Sequence, residues 1–144
     1  MEYADAMQRL GNSKVARLAT VDVGGRPHIV PIVFAQDGNT LYFAVDAKPK
    51  KTTNLKRLKN IAANPAVSVL VDHYEDDWTK LWWVRADGTA RVVTDSVEAE
   101  HAIDLLAHKY EQHRRERPAG PVVAVHLDRV TGWSATLDTV RRSV

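Results

Sequence analysis

The stretch from Leu41 to Val71 constrains the fold more than any other part of the sequence. It opens with a strand-like apolar run up to Val45 and closes with a second run that starts at Val67. Between the two runs, apolar residues recur at helical spacing and predict a short helix that ends at an Asn-Pro dipeptide. These apolar positions are Leu55, Leu58 and Ile61. A strand, a helix and a strand are therefore predicted to follow one another within this segment.

Lysines crowd the start of the predicted helix. The polar residues that precede and open it are Lys48, Lys50, Lys51, Thr52 and Asn54. The first N–H groups of a helix lack intrahelical partners and the helix dipole is positive there, so added lysines favour a bound anion. We interpret this stretch as a phosphate site. The alternative, a solvated surface, fits the basic residues that lie further along the helix.

Composition restricts the class of protein. The 144 residues are the size of one compact domain, and we expect a single domain over residues 1–144. The formal net charge is only +2, and aromatic residues are not interleaved with the lysines, which argues against a nucleic-acid partner. Because no cysteine is present, disulfides, cysteine-ligated zinc and thiol catalysis are excluded.

Hydropathy gives no sign of export or of membrane insertion. The N-terminus lacks an apolar segment of signal-peptide length. No stretch approaches the roughly 20 apolar residues that a membrane-spanning helix needs. We therefore expect a cytoplasmic protein without a membrane partner.

Alternating apolar residues and turn dipeptides predict about six strands, joined mostly as antiparallel hairpins. The predicted strands are Val15 to Val21, His28 to Ala35, Thr40 to Val45, the run up to about His73, Lys80 to Val93, and Val122 to Leu127 with a continuation through Trp133 to Ala135. Further helices are predicted over residues 2–10, ending at Gly11, and over residues 96 to about 110, capped by Asp95 with Glu98. Helices are inserted between strands and do not alternate with each one. This order favours a mainly β (α+β) fold or a small β-barrel over a doubly wound sheet.

Two positions predict local irregularities in the strands. Pro31 cannot donate a ladder hydrogen bond, so its strand is predicted to lie at an edge or to bulge there, with backbone groups free for a ligand. A merely tolerated edge proline is the alternative. Asp87-Gly88 predicts either a bulge or a tight hairpin in the long strand.

Patterns for protein-based catalysis are sparse. His101 and His108 lie two helical turns apart, about 10 Å by the helical rise, so they cannot share a metal ion and no metal site is predicted. His28 is kept as a candidate general acid, although a lone histidine at a strand end is more often structural. No GxSxG, P-loop or GxGxxG motif occurs. We assign no catalytic residue and expect a cofactor to carry any chemistry.

Trp82 and Trp83 are adjacent in a predicted strand. Successive side chains of a strand point to opposite faces, so one must face the core and the other must face solvent, a partner chain or a ring-shaped ligand. A dimer contact and a half-exposed core residue are both consistent with this pattern.

Four segments together resemble one known family. They are GRPHIVPIVFA, LYFAVDAKPKKTTNLKRLKNIAANPAVSVLV, LWWVRADGTARVV and VTGWSA, and they cover nearly the whole chain. In this order they are similar to the flavin and deazaflavin oxidoreductases of the split β-barrel superfamily, the pyridoxamine-phosphate-oxidase-like proteins. The most specific part is the Lys-x-x-Asn-Leu run from Lys51 to Leu55 with the following Asn64-Pro65 segment. It resembles the branch that uses the deazaflavin coenzyme F420.

The resemblance implies a six-stranded antiparallel split β-barrel of the FMN-binding type with short flanking helices. It also implies a homodimer with two equivalent cofactor sites at the interface. The cofactor ring would lie against the second strand, the lysines would hold the phosphate, and two tryptophans look like interface aromatics. The implied cofactor-binding residues are Pro31, Ile32, Val33, Phe34, Lys48, Lys50, Lys51, Thr52, Asn54, Trp83 and Trp133.

The sequence also departs from the pyridoxamine phosphate oxidases. Those enzymes carry an Arg-Lys pair at the phosphate and an Arg-x-His element near the C-terminus. Here the pair is Lys50-Lys51 and the chain ends Val-Arg141-Arg142-Ser-Val. The pyridoxamine phosphate substrate is therefore not expected, and a deazaflavin with a longer anionic tail is favoured over FMN.

The implied function is hydride transfer between F420 and a small, electron-poor organic substrate. The protein would position the reactants, exclude water and supply electrostatics. Two alternatives stay open: an FMN-dependent oxidase or reductase of the same fold, and a non-catalytic protein that binds or carries the cofactor.

Overall fold

The computed structural model describes residues 1–45 and 52–136, with the backbone alone for residues 52–55. Seven strands occur in these ranges: β1 (Ala16–Val21), β2 (Pro27–Ile32), β3 (Ala35–Asp37), β4 (Thr40–Ala44), β5 (Ala66–His73), β6 (Trp82–Val92) and β7 (Val122–Ser134). The α-helices there are α1 (Tyr3–Asn12), α2 (Thr52–Ala63), α3 (Ser96–Lys109) and α4 (Glu111–Arg115). A short 3₁₀ helix (Trp78–Lys80) precedes β6. The predicted continuation of the last strand through Trp133 is confirmed.

The strands form one antiparallel sheet in the order β2-β1-β5-β6-β7-β4-β3. β2 and β3 lie at opposite ends of this order, although only Val33 and Phe34 separate them in the sequence. The three Cα–Cα steps from Ile32 to Ala35 span at most about 11 Å, so the two edges of the sheet must come together. This constraint curls the sheet into a split β-barrel, and the predicted fold class is confirmed. The edge position of β2 also confirms the expectation drawn from Pro31.

The predicted number of six strands was one too low. The run from His28 to Ala35, predicted as one strand, is divided because its two parts pair with different strands. β2 pairs with β1, whereas β3 pairs with β4 on the other edge of the sheet. At the break, the backbone N–H of Phe34 donates a hydrogen bond of 3.1 Å to the Tyr110 hydroxyl and so leaves the ladder.

The irregularity predicted at Asp87-Gly88 is a bulge within one continuous strand, and the alternative of a hairpin is wrong. The β6–β7 register shifts between Asp87 and Gly88, because β7 places one extra residue, Asp128, between their partners. A glycine is required at this point. A Cβ atom on Gly88 would lie 2.4 Å from the carbonyl oxygen of His126, closer than van der Waals contact allows.

The inward faces of the strands enclose the main core. Its largest fully buried side chains include Phe34, Phe43, Leu10, Leu18 and Leu41. Burial of a side chain of this size stabilises the fold by about 2 kcal/mol. α1 and α2 cover this core, and a smaller cluster packs under α3 around Tyr42, Ala102, Val122 and Ala124.

α1 continues one residue beyond the predicted stop at Gly11 and ends at Asn12. Gly11 instead allows the Gln36 side chain to pack closely against α1, since a Cβ atom there would lie 2.6 Å from the Gln36 side-chain oxygen. The end of the helix is instead satisfied by Ser13, whose hydroxyl donates a hydrogen bond of 2.7 Å to the carbonyl of Arg9. None of the described helices is long and apolar enough to cross a membrane.

α3 begins with the predicted cap. The Asp95 carboxylate accepts hydrogen bonds from the N–H groups of Val97 and Glu98, both at 3.3 Å. The Glu98 side chain does not complete a capping box. It accepts two hydrogen bonds from Arg91, at 2.9 and 2.7 Å, and one from the Tyr42 hydroxyl at 2.9 Å, which ties α3 to the sheet.

Candidate cofactor-binding face

The candidate site lies on the outer face of the sheet, the face that points away from the main core. Residues directly opposite each other in antiparallel strands point to the same side. One such row crosses five strands and contains Pro31, Arg17, Leu70, Arg85 and Thr131. All five side chains are exposed or half-buried, whereas the residues on either side of Arg17, Leu70 and Arg85 along their strands are buried. This row defines the outer face.

Trp83 and Trp133 form a cross-strand pair in the next row of this face. They lie directly opposite each other on β6 and β7, and Asp72 on β5 lies opposite Trp83 on the other side. Cβ atoms of such pairs are about 5 Å apart, so the two side chains start from adjacent positions on this face. Trp82 points the other way, packs against the main core and lies under the Arg9 guanidinium at 4.8 Å. The prediction that Trp82 and Trp83 face opposite sides is confirmed.

A cleft of about 450 Å³ lies beside Trp83, and we call it the tryptophan groove. It is lined by Leu70, Asp72, Tyr74, Trp83 and Arg85. This volume is within the range of small-molecule sites. Leu70 and Trp83 supply apolar surface, while Asp72 and Arg85 supply opposite charges. The groove can therefore hold a flat apolar ring that carries polar substituents.

Sequence reasoning missed most residues of the tryptophan groove. The alternation of β5 carried a usable signal, because Leu70 and Asp72 occupy the face opposite to the buried Val69 and Val71. Tyr74 follows the end of β5, and nothing in its sequence context indicates the groove.

The four residues predicted to contact the ring around Pro31 divide into two pairs. Pro31 is exposed and Val33 retains 39% exposure, so both can meet a ligand. Ile32 and Phe34 are only 5% and 0% exposed, because their side chains point into the main core. The side chains of Ile32 and Phe34 are therefore not on the outer face, and only their backbone could take part in ligand binding.

The backbone of Phe34 is already occupied by Tyr110. The Tyr110 hydroxyl accepts the Phe34 N–H at 3.1 Å and lies 2.9 Å from the carbonyl oxygens of both Phe34 and Lys14, to one of which it donates. Burial raises the pKa of Tyr110. Sequence reasoning did not single out this tyrosine, which fixes the end of β2 from a helix far away in the sequence. The backbone N–H of Phe34 is thus already paired within the chain.

Lys109 packs over the same end of β2. Its amine lies 3.9 Å from the centre of the Phe34 ring and has no hydrogen-bond partner among the described residues. Burial, and secondly the charge of Lys14, lower the pKa of Lys109 to about 8. No pattern in the sequence indicates this desolvated amine.

The structure does not bring the two predicted ring-contacting groups together within one chain. Pro31 on β2 and Trp83 on β6 are separated by three strand spacings, because β1 and β5 lie between them. At about 4.8 Å per spacing this amounts to about 14 Å along the sheet. Pro31 and Val33 therefore form one surface, and the tryptophan pair forms another.

The predicted phosphate site lies mostly outside the described residues. Lys48, Lys50 and Lys51 fall outside them, and Thr52 and Asn54 are described by their backbone alone. α2 begins at Thr52, directly after the lysines.

The position of α2 is fixed by its C-terminal half. Ile61 is 3% exposed in the main core, and the buried amide of Asn60 donates a hydrogen bond of 3.0 Å to the Thr20 hydroxyl of β1. Arg57 lies one turn earlier in the same helix, and burial lowers its pKa.

His28, the candidate general acid, points to the inner side of β2. It lies opposite the buried Thr20, and its Nδ1 is buried without a hydrogen-bond partner in the described part of the chain. It therefore does not face the tryptophan groove. Within residues 1–45 and 52–136, no group of three or more potential ligand side chains could hold a metal ion.

The curled antiparallel sheet with its outer-face tryptophan pair defines a split β-barrel protein. The family model described as pyridoxamine 5'-phosphate oxidase matches residues 4–134. The chain belongs to this family. No curated protein sequence matches it significantly.

Solved structures share the fold at low sequence identity. A FAD-binding protein from Mesorhizobium loti is 22% identical with a TM-score of 0.71, over 92% of this chain and 94% of that one. A conserved hypothetical protein from Mycobacterium tuberculosis is 21% identical with a TM-score of 0.74, over 96% and 88%. A heme storage protein from Vibrio cholerae is 16% identical with a TM-score of 0.68, over 92% and 93%. At these sequence identities, the similarities show a shared fold only.

Proposed function

We propose that the protein is an F420-dependent oxidoreductase that transfers a hydride between the deazaflavin and a small, electron-poor organic substrate. The observation that carries the proposal is the tryptophan groove, a cleft of about 450 Å³ with an indole wall and two opposite charges. Aromatic side chains favour flat ring systems by stacking. Membership of the pyridoxamine 5'-phosphate oxidase family supports a ring-shaped redox cofactor, as does the likeness to a FAD-binding protein.

The phosphate of the cofactor would be held at the start of α2. Lys50, Lys51 and Thr52 would contact it, with Lys48 and Asn54 nearby in the sequence. The start of α2 at Thr52 supports this assignment, because the unpaired N–H groups of a first helical turn attract anions. The lysine pair and the absence of an arginine in it favour the longer anionic tail of F420 over FMN.

The functional unit would be a cytoplasmic homodimer of single-domain chains. One protomer would supply Pro31 and Val33, and its partner would supply Trp83 and Trp133, because the two groups lie too far apart in one chain to contact a single ring. The apolar edge of β2 supports this arrangement. Ile29 is 66% exposed there and Val33 is 39% exposed, and a second copy would cover both.

The bound deazaflavin would supply the hydride chemistry. The chain itself would exclude water at the tryptophan pair and orient polar substituents of the substrate with Asp72 and Arg85. Arg85 forms an ion pair with Asp87, with 3.4 Å between Nε and Oδ1. No residue of the chain is assigned a catalytic role.

The experiment that tests the function follows reoxidation of reduced F420 by quinone and nitroaromatic acceptors under anaerobic conditions. We expect the protein to accelerate reoxidation by at least one acceptor and expect Lys51→Ala to abolish the acceleration. Lys59→Ala is the matched control, since Lys59 is exposed further along the same helix. Equal rates with and without protein would contradict the enzymatic assignment.

The second candidate function is a non-catalytic carrier of a ring-shaped cofactor. The observation that favours it is the likeness to a heme storage protein from Vibrio cholerae. A carrier would bind F420 tightly and leave every acceptor untouched. A yellow flavin retained during purification would instead favour an FMN-dependent oxidase or reductase.

A further inference from the structure

A second cleft lies between the end of α1 and the adjoining ends of β5 and β6, and we call it the α1 cleft. Its volume is about 510 Å³, which suits a small-molecule ligand. It is lined by Arg9, Asn12, Ser13, Lys14, Val15, Asp72 and Trp82. Trp82 belongs to the opposite face of β6 from the tryptophan groove, so the two clefts are distinct and share only Asp72.

One wall of the α1 cleft combines a cation with an aromatic ring. The Arg9 guanidinium lies 4.8 Å from the centre of the Trp82 ring. Stacking of this kind holds the planar guanidinium by its face, so its N–H groups stay available at the edge for a carboxylate. Val15, which is 46% exposed, adds apolar surface to the same cleft. The α1 cleft can therefore contact the apolar body and the anionic group of one ligand side by side.

Lys14 is the second basic residue in the lining of the α1 cleft. The Lys14 amine donates a hydrogen bond of 3.2 Å to the carbonyl of Lys109 and lies 5.4 Å from the centre of the Tyr110 ring. The buried amine of Lys109 lies 3.9 Å from the centre of the Phe34 ring, and the charge of Lys14 contributes to its lowered pKa. Within the described residues, two lysines therefore lie close together at this corner.

The charged side chains of the α1 cleft form no ion pair with the part of the chain that the structure describes. Neither Arg9 nor Lys14 nor Asp72 forms a salt bridge with any residue in the described ranges, whereas other surface cations do, such as Arg91 with Glu98. Two basic residues and one carboxylate line the cleft, so its formal charge of +1 favours an anion of single charge. Asp72, at its rim, would repel a second negative charge.

We propose that the α1 cleft binds a small monocarboxylate with an aromatic or apolar body. Arg9 and Lys14 bind the carboxylate, Trp82 and Val15 contact the body, and Asp72 selects against more highly charged anions. This inference does not depend on the proposed cofactor, because the cleft lies on the other face of β6 and shares only Asp72 with the tryptophan groove.

The test is calorimetric titration of the full chain, without any flavin or deazaflavin, at low ionic strength. Benzoate is the probe. Benzyl alcohol, which lacks the charge, and inorganic phosphate, which lacks the body and carries more charge, are the comparison probes. Arg9→Gln and Lys14→Gln remove the cations, Asp72→Asn removes the rim carboxylate, and Arg26→Gln is the matched control at an exposed arginine outside both clefts.

We expect saturable binding of benzoate that is stronger than binding of either comparison probe. Arg9→Gln and Lys14→Gln should each weaken it roughly fivefold or more, and Asp72→Asn should strengthen it roughly fivefold, since partly exposed charge pairs have energies of this order. Arg26→Gln should leave it unchanged. Lys14→Gln keeps the test informative if Arg9→Gln is unstable, because Lys14 is exposed. Absence of benzoate binding at millimolar concentration, equal binding of phosphate, or unchanged affinity in Lys14→Gln would overturn the proposal.

Discussion

Substitution of Tyr110 by phenylalanine should destabilise the protein while leaving its ring packing intact. The hydroxyl accepts the Phe34 N–H at 3.1 Å and donates to a carbonyl of Phe34 or Lys14 at 2.9 Å. Without it, a partly buried N–H group loses its acceptor and a carbonyl loses its donor. Each unsatisfied buried group costs about 1–3 kcal/mol, and the partial exposure of this site places the total near 2 kcal/mol. At about 3 °C per kcal/mol, Tm should fall by about 6 °C.

The assay is urea unfolding followed by circular dichroism, with a thermal scan for Tm. Tyr74→Phe is the matched control, because it removes the same atom from a ring that is 63% exposed and has no hydrogen bond with the described residues. The control should stay within about 0.5 kcal/mol of wild type. If the two variants unfold at the same urea concentration, the Tyr110 hydroxyl does not hold the end of β2 and the explanation for the divided strand fails.

Two further substitutions test the fold. Gly88→Ala should cost about 3 kcal/mol, because the new Cβ atom would lie 2.4 Å from the His126 carbonyl oxygen. Gly24→Ala, in an open turn, should cost less than about 1 kcal/mol in the same urea titration, and equal losses would contradict the need for a close approach. Glu98→Gln should cost about 1 kcal/mol at neutral pH, because the hydrogen bonds from Arg91 lower the pKa of Glu98 and so stabilise the folded state above its ordinary pKa of about 4.3. This contribution is lost as the pH falls through the lower folded pKa, so the difference between wild type and variant should shrink below about pH 4, and a constant difference would refute the assignment.

Local signals in the sequence predicted a large part of the fold. Alternating apolar residues and turn dipeptides indicated most of the strands, and the proline at position 31 indicated an edge strand because it lacks a donor. The Asp87-Gly88 pair indicated the bulge. Each of these signals acts through a residue's own backbone or its immediate neighbours, so it can be read without knowledge of the partner strand.

The remaining features depend on contacts between residues far apart in the sequence. The division of β2 from β3 follows from the meeting of the two sheet edges and from the Tyr110 hydroxyl at Phe34. Ile32 and Phe34 were expected in the site because nothing local shows which face of their strand becomes the core. The tryptophan groove is likewise formed only when β5 and β6 become neighbours, so that Leu70 lies opposite Arg85.

The most direct test of the proposed function is titration of the protein with F420 and, separately, with FMN, followed by tryptophan fluorescence. Wild type is compared with Lys51→Ala and with the control Lys59→Ala. We predict saturable quenching by F420 at lower concentration than by FMN, with affinity lost in Lys51→Ala and kept in Lys59→Ala. Tighter binding of FMN, or no binding of either cofactor, would contradict the assignment of a deazaflavin oxidoreductase.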